Sequence, residues 1–67
     1  MTTPRHPEIT VQLTGTDGNA FAVIGTVTSA LRRAGVPAAE RAEFEREAMS
    51  GTYDHLLRTC CAWVDVR

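Results

Sequence analysis

The sequence predicts a small α+β domain in the order β-α-α-α-β, and three observations carry that prediction. Residues 8–13, EITVQL, alternate strictly between polar and apolar, as a strand with one wet face does. Residues 20–34, AFAVIGTVTSALRRA, repeat their apolar positions at helical spacing. Val64 and Val66 alternate with Trp63 and Asp65 at the other end, which predicts a short last strand paired with the first. Two strands alone are marginal, so the sheet is expected to pack on the central helix.

The first strand follows residues 1–7, where Pro4 and Pro7 favour an extended, frayed arm with a solvated His6. Residues 8–67 form the single domain. The turn TGTDGN, residues 14–19, leads into the helix. Gly15 and Gly18 match neither a dinucleotide fingerprint nor a P-loop with its Lys, so a tight turn explains them better than a phosphate cradle.

In the central helix, 100° per residue places Ala20, Phe21, Ile24, Val27 and Leu31 on one face. Thr28 and Ala34 fall at its margins. Asn19 is a good N-cap. Arg32 and Arg33 meet the negative end of the helix dipole, and Gly35 suits the C′ position. Gly25 costs about 1 kcal/mol against Ala in mid-helix, and close approach of another element is the expected reason for it.

Val36-Pro37 opens a second helix with Pro at its first position. Residues 38–49 are good helix formers, with Phe44 and Ala48 inward. Glu40, Glu43 and Glu47 are expected outward, pairing with Arg41 and Arg46 along the helix. Ser50-Gly51 ends it. A third helix, capped by Thr52 or Asp54, runs through Cys61 with Tyr53, Leu56, Leu57 and Cys60 on a shared face.

Composition limits the functions. Sixty-seven residues bury only about 60% of the unfolded chain's surface. The few large apolar residues make one thin core, without room for a deep ligand pocket as well. The net charge is −1, which argues against a general nucleic-acid binder. All seven basic residues are Arg, a sign of a high-GC genome before any function. MTTPRHPE lacks the apolar core of a secretory signal, and no stretch is long enough for a membrane span. A cytoplasmic protein is the expectation.

No convergent catalytic set emerges, and no enzyme, cofactor or metal is expected. Cys60-Cys61 is neither CxxC nor half of a zinc site, and adjacent cysteines disfavour a bridge. Asp54 and His55 point about 100° apart on a helix, so they form no relay. The leading expectation is a non-enzymatic interaction module, either homo-oligomeric or bound to another protein. Its contact candidates are Trp63 and Asp65, on the face opposite Val64 and Val66, with Arg32, Arg33 and Arg58. Trp63 has two readings: an exposed contact beside an open strand edge, or packing under the N-terminal arm. The rival function is a nucleic-acid-associated regulator using Arg32, Arg33, Arg41 and Arg58, with the second and third helices in helix-turn-helix outline. Asp54 and the scarcity of bases on the third helix weaken it.

HPEITVQLTGTDGNAFAVIGTVTSALRRAGV, together with SGTYDHLLRTCCAWVDV, resembles a family of short hypothetical proteins associated with actinobacteria and their phages. The resemblance covers nearly the whole chain. It implies a self-contained domain and assigns no functional residue. The family pattern does not call for adjacent cysteines.

Overall fold

The computed structural model describes residues 3–13 and 19–67. The order is β1 (His6–Val11), α1 (Ala20–Arg33), α2 (Ala38–Ala48), α3 (Tyr53–Trp63) and β2 (Val64–Val66). β1 and β2 form a two-stranded parallel sheet, so the three helices together make the crossover that parallel pairing requires. The small α+β domain expected from the pattern is present. The residues 14–18 of the expected turn lie outside the described residues.

Each boundary has a local cause. Asn19 accepts from the Phe21 N–H at 2.8 Å. At the other end of α1, Gly35 takes φ +88°. Its N–H donates to the Arg32 carbonyl, and Val36 N–H donates to Leu31. Those two bonds make a Schellman close, which needs a left-handed residue at C′. Pro37 is the residue before α2, one position earlier than expected. Thr52 caps α3 by accepting from the His55 N–H. An added Cβ at Gly51 would lie 3.0 Å from the His55 ring, so a larger residue there must push the imidazole aside by a few tenths of an ångström.

β1 begins at His6, inside the segment expected to be a frayed arm. The ladder pairs His6 with Val64, then Thr10 with Asp65 and Val11 with Val66, with an irregularity between His6 and Thr10. Arg5 N–H donates to the Ala62 carbonyl before the irregularity; Leu13 N–H donates to Arg67 after it. Pro7, the exposed Glu8 and the irregularity together blunt β1 as a template for another strand.

The core draws on every element: Ile9 and Val11 from β1, Val23, Ile24, Val27 and Leu31 from α1, Phe44 and Ala48 from α2, Leu56, Cys60 and Trp63 from α3, and Val64 from β2. The buried stripe of α1 is rotated from the expected one. Val23 is inside and Phe21 is 73% exposed, because Phe21 lies roughly 100° from the middle of the arc that Val23, Val27, Leu31 and Ile24 span. Gly25 is exposed, and a Cβ there would meet nothing within 4 Å, so no close approach accounts for it.

Trp63 is the larger correction. α3 runs two residues beyond Cys61, so Trp63 is helical and β2 starts at Val64. Helical placement turns the indole inward, where it is 2% exposed. Of its two readings, burial beneath the N-terminal segment is the one the structure shows.

Candidate functional site

The apolar surface left open lies where the N-terminus of α1 meets the turn between α2 and α3. Ile24, Ala48 and Leu56 form the floor of a groove, and Phe21, Met49 and Tyr53 stand on its walls. Those three are the large apolar residues that remain exposed, at 73%, 60% and 42% among the described residues. The groove holds about 200 Å³. Sites for small organic ligands run at about 300–1,000 Å³, so this hollow suits one or two side chains of a polypeptide.

Local sequence explains why these residues are stranded. Met49 is the C-cap of α2, past the last turn that Phe44 and Ala48 anchor in the core. Tyr53 is the first residue of α3, before the inward positions Leu56 and Cys60. Phe21 belongs to the first turn of α1 and lies off its buried arc. The signal in the sequence is positional: large apolar residues directly beside capping and turn residues have few neighbours on a helical face. Helical spacing alone puts Tyr53 on one face with Leu56, whereas its place in the first turn leaves it 42% exposed.

Beside the groove, the turn carries a polar cluster. His55 Nε2 lies 3.0 Å from the Glu47 carbonyl and 3.1 Å from Ser50 Oγ. Ser50 Oγ itself donates to the Glu47 carbonyl at 2.7 Å. A carbonyl only accepts, so the Nε2 contact needs a proton on that nitrogen. The imidazole therefore donates at Nε2 and is no base toward Ser50. The pair closes the end of α2, where carbonyls lack helical partners.

The thiols differ by environment. Cys60 is buried, and burial, reinforced by neighbouring Cys61, pushes its thiol up from 9.0 to about 11. At neutral pH it is a protonated core side chain. Cys61 is exposed, and both are free. Among the described residues no group of three His, Cys, Asp or Glu side chains is placed to hold a metal.

The remaining candidates are dispersed over the fold. Arg32 and Arg33 are exposed in the last turn of α1, and Arg58 is exposed on α3. Arg41 is half-buried on α2, with its Nε enclosed and unpartnered among the described residues. Asp65 accepts from the Arg67 guanidinium at 3.1 Å. Against the expectation from sequence, Glu40 and Glu43 do not pair along α2 with Arg41 and Arg46 among the described residues: Glu40 contacts His6 at 2.5 Å and Glu43 faces Arg5 at 3.6 Å. No described helix is long and apolar enough to cross a membrane. Comparison with family models, curated proteins and solved structures returned no match.

Proposed function

We propose that this chain is a non-enzymatic protein-interaction module whose contact surface is the groove walled by Phe21, Met49 and Tyr53, and that its partner is a second copy. The observation that carries the reading is convergence: the three large apolar side chains exposed among the described residues line one hollow. Isolated exposed apolar residues need no explanation, whereas a contiguous patch marks a contact. Phe21 is a knob beside a hole of side-chain size. A two-fold contact uses one patch on both partners, and a patch with both features complements itself.

Area sets the strength. A standard interface takes roughly 800 Å² from each partner, nearly a fifth of this chain's 4368 Å². Three side chains and their rims supply less than that, which supports a weak, reversible association. The exposed free thiol of Cys61 suits a reducing compartment, in keeping with a cytoplasmic protein.

A concentration series by analytical ultracentrifugation tests the reading. The expected result is a rise in mean mass toward the dimer, abolished by Phe21→Ser with Met49→Ser while the unfolding temperature stays near that of the parent. A strict monomer up to millimolar concentration overturns self-association.

A further inference from the structure

The end of α3 remote from the groove carries a second arrangement, and it is independent of the docking reading. Trp63 is enclosed on one side by Phe44, edge-on at 5.5 Å between ring centroids. On the other side it is closed by residues just before and at the start of β1. The Arg5 guanidinium lies 4.0 Å above the indole centroid, and the His6 ring is 6.2 Å away, tilted by 33°. Arg5 is exposed and His6 half-buried, so a thin cover of two residues makes the largest side chain of the core a buried one.

Carboxylates hold that cover down. Glu43 lies 3.6 Å from Arg5 Nη1. His6 sits between two acids: Nε2 is 2.5 Å from Glu40 Oε2, and Nδ1 is 3.5 Å from Glu8 Oε2. Glu40 and Glu43 belong to α2, Glu8 to β1, and Trp63 itself is the contribution of α3. A doubly protonated imidazole directs a proton at each carboxylate. A neutral one keeps a single proton and turns a lone pair toward the other acid. Loss of the charge also removes the ion-pair attraction to both carboxylates, leaving one hydrogen bond to a single acid.

The backbone ties this cover to the end of α3 and the start of β2. The ladder joins His6 to Val64 and is irregular between His6 and Thr10, so the cover hangs on one ladder pair, apart from Thr10–Asp65 and Val11–Val66. Arg5 is tied by one backbone bond, to Ala62 at 2.9 Å.

We propose that Arg5 and His6 form a proton-operated latch over Trp63: shut while His6 carries both ring protons, loosened when it loses one. Histidine changes charge between about pH 5 and 8, and the open latch admits solvent to the Trp63 indole. Trp63 is the one tryptophan of the chain, so the latch has its own reporter.

The test compares pH 5 with pH 8 in two measurements, acrylamide quenching of Trp63 and the exchange protection factor of the Arg5 amide. Quenching is expected to rise with pH, and Arg5 protection to fall about tenfold, the factor for weakening one partly exposed charged hydrogen bond. Core amides such as Leu31 and Phe44 should keep their protection. Glu40→Gln should shrink the response, and His6→Gln should remove it, which separates His6 from His55. The latch is overturned if the wild type responds at neither probe, if the response survives in His6→Gln, or if core amides loosen in parallel.

Discussion

The two ends of α3 treat aromatic side chains in opposite ways. At the C-terminal end Trp63 is enclosed by Phe44, Arg5 and His6. At the N-terminal end Tyr53 stands partly in water beside Phe21 and Met49. Hydrophobicity does not separate them, because all are large and apolar enough to bury. The difference is the cover. Two polar residues, Arg5 and His6, close one end because α2 offers Glu40 and Glu43 to hold them. The turn at the other end has spent its polar groups on closing α2, through Ser50 and His55. What is left there is a hollow with no counterpart among the described residues.

The sharpest way to break this comparison is to truncate one aromatic at each end. Trp63→Ala should cost about 3–5 kcal/mol, the usual loss for a large buried aromatic. Domains of this length hold only roughly 3–10 kcal/mol in total, so chemical denaturation should show a strongly weakened or unfolded variant. Phe21→Ala should stay within about 0.5 kcal/mol of the parent, as exposed positions do. Equal losses at both sites would refute the contrast.

The thiols extend the test. The folded chain keeps Cys60 protonated up to about pH 11, while the unfolded thiol ionises near 9.0. The unfolded state therefore binds fewer protons between those values, and stability must fall as pH rises through that window. The loss is expected to be about 2 kcal/mol by pH 11, read as the difference in denaturation midpoint between parent and Cys60→Ala. At neutral pH a thiol reagent should label Cys61 and leave Cys60 untouched in the native protein.

Smaller effects sharpen the account of the surface. Gly25→Ala should stabilise α1 by about 1 kcal/mol, since the new methyl enters open space; a destabilised variant would mean that something packs there. Glu43→Gln should cost less than about 1 kcal/mol, and the cost should shrink in high salt, because the Arg5–Glu43 pair is half exposed.

Much of this fold is written locally. The alternation of Ile9 and Val11, the Asn19 cap and the Arg32–Gly35 close are decided by residues a few positions apart, and the structure has them as the pattern requires. The site was less legible. Projection alone puts Phe21 inward, because one helical projection admits several centres for its apolar arc. Only the packing of β1 and α2 against α1 chose the arc through Val23. Alternation with Val64 places Trp63 in the strand, whereas α3 runs two residues past Cys61 and takes Trp63 into the helix. Glu40 and Glu43 read as outward charge paired along α2 because nothing near them in sequence announces Arg5 and His6.

By itself, then, the chain specified its elements and most of their caps, since periodicity and capping act over one or two turns; the parallel pairing of first strand with last is tertiary. Which apolar side chains lie under cover and which stay open was a tertiary decision. It rests on contacts between residues far apart in the chain, His6 with Glu40 and Arg5 with Trp63, and a local pattern carries no record of a distant partner.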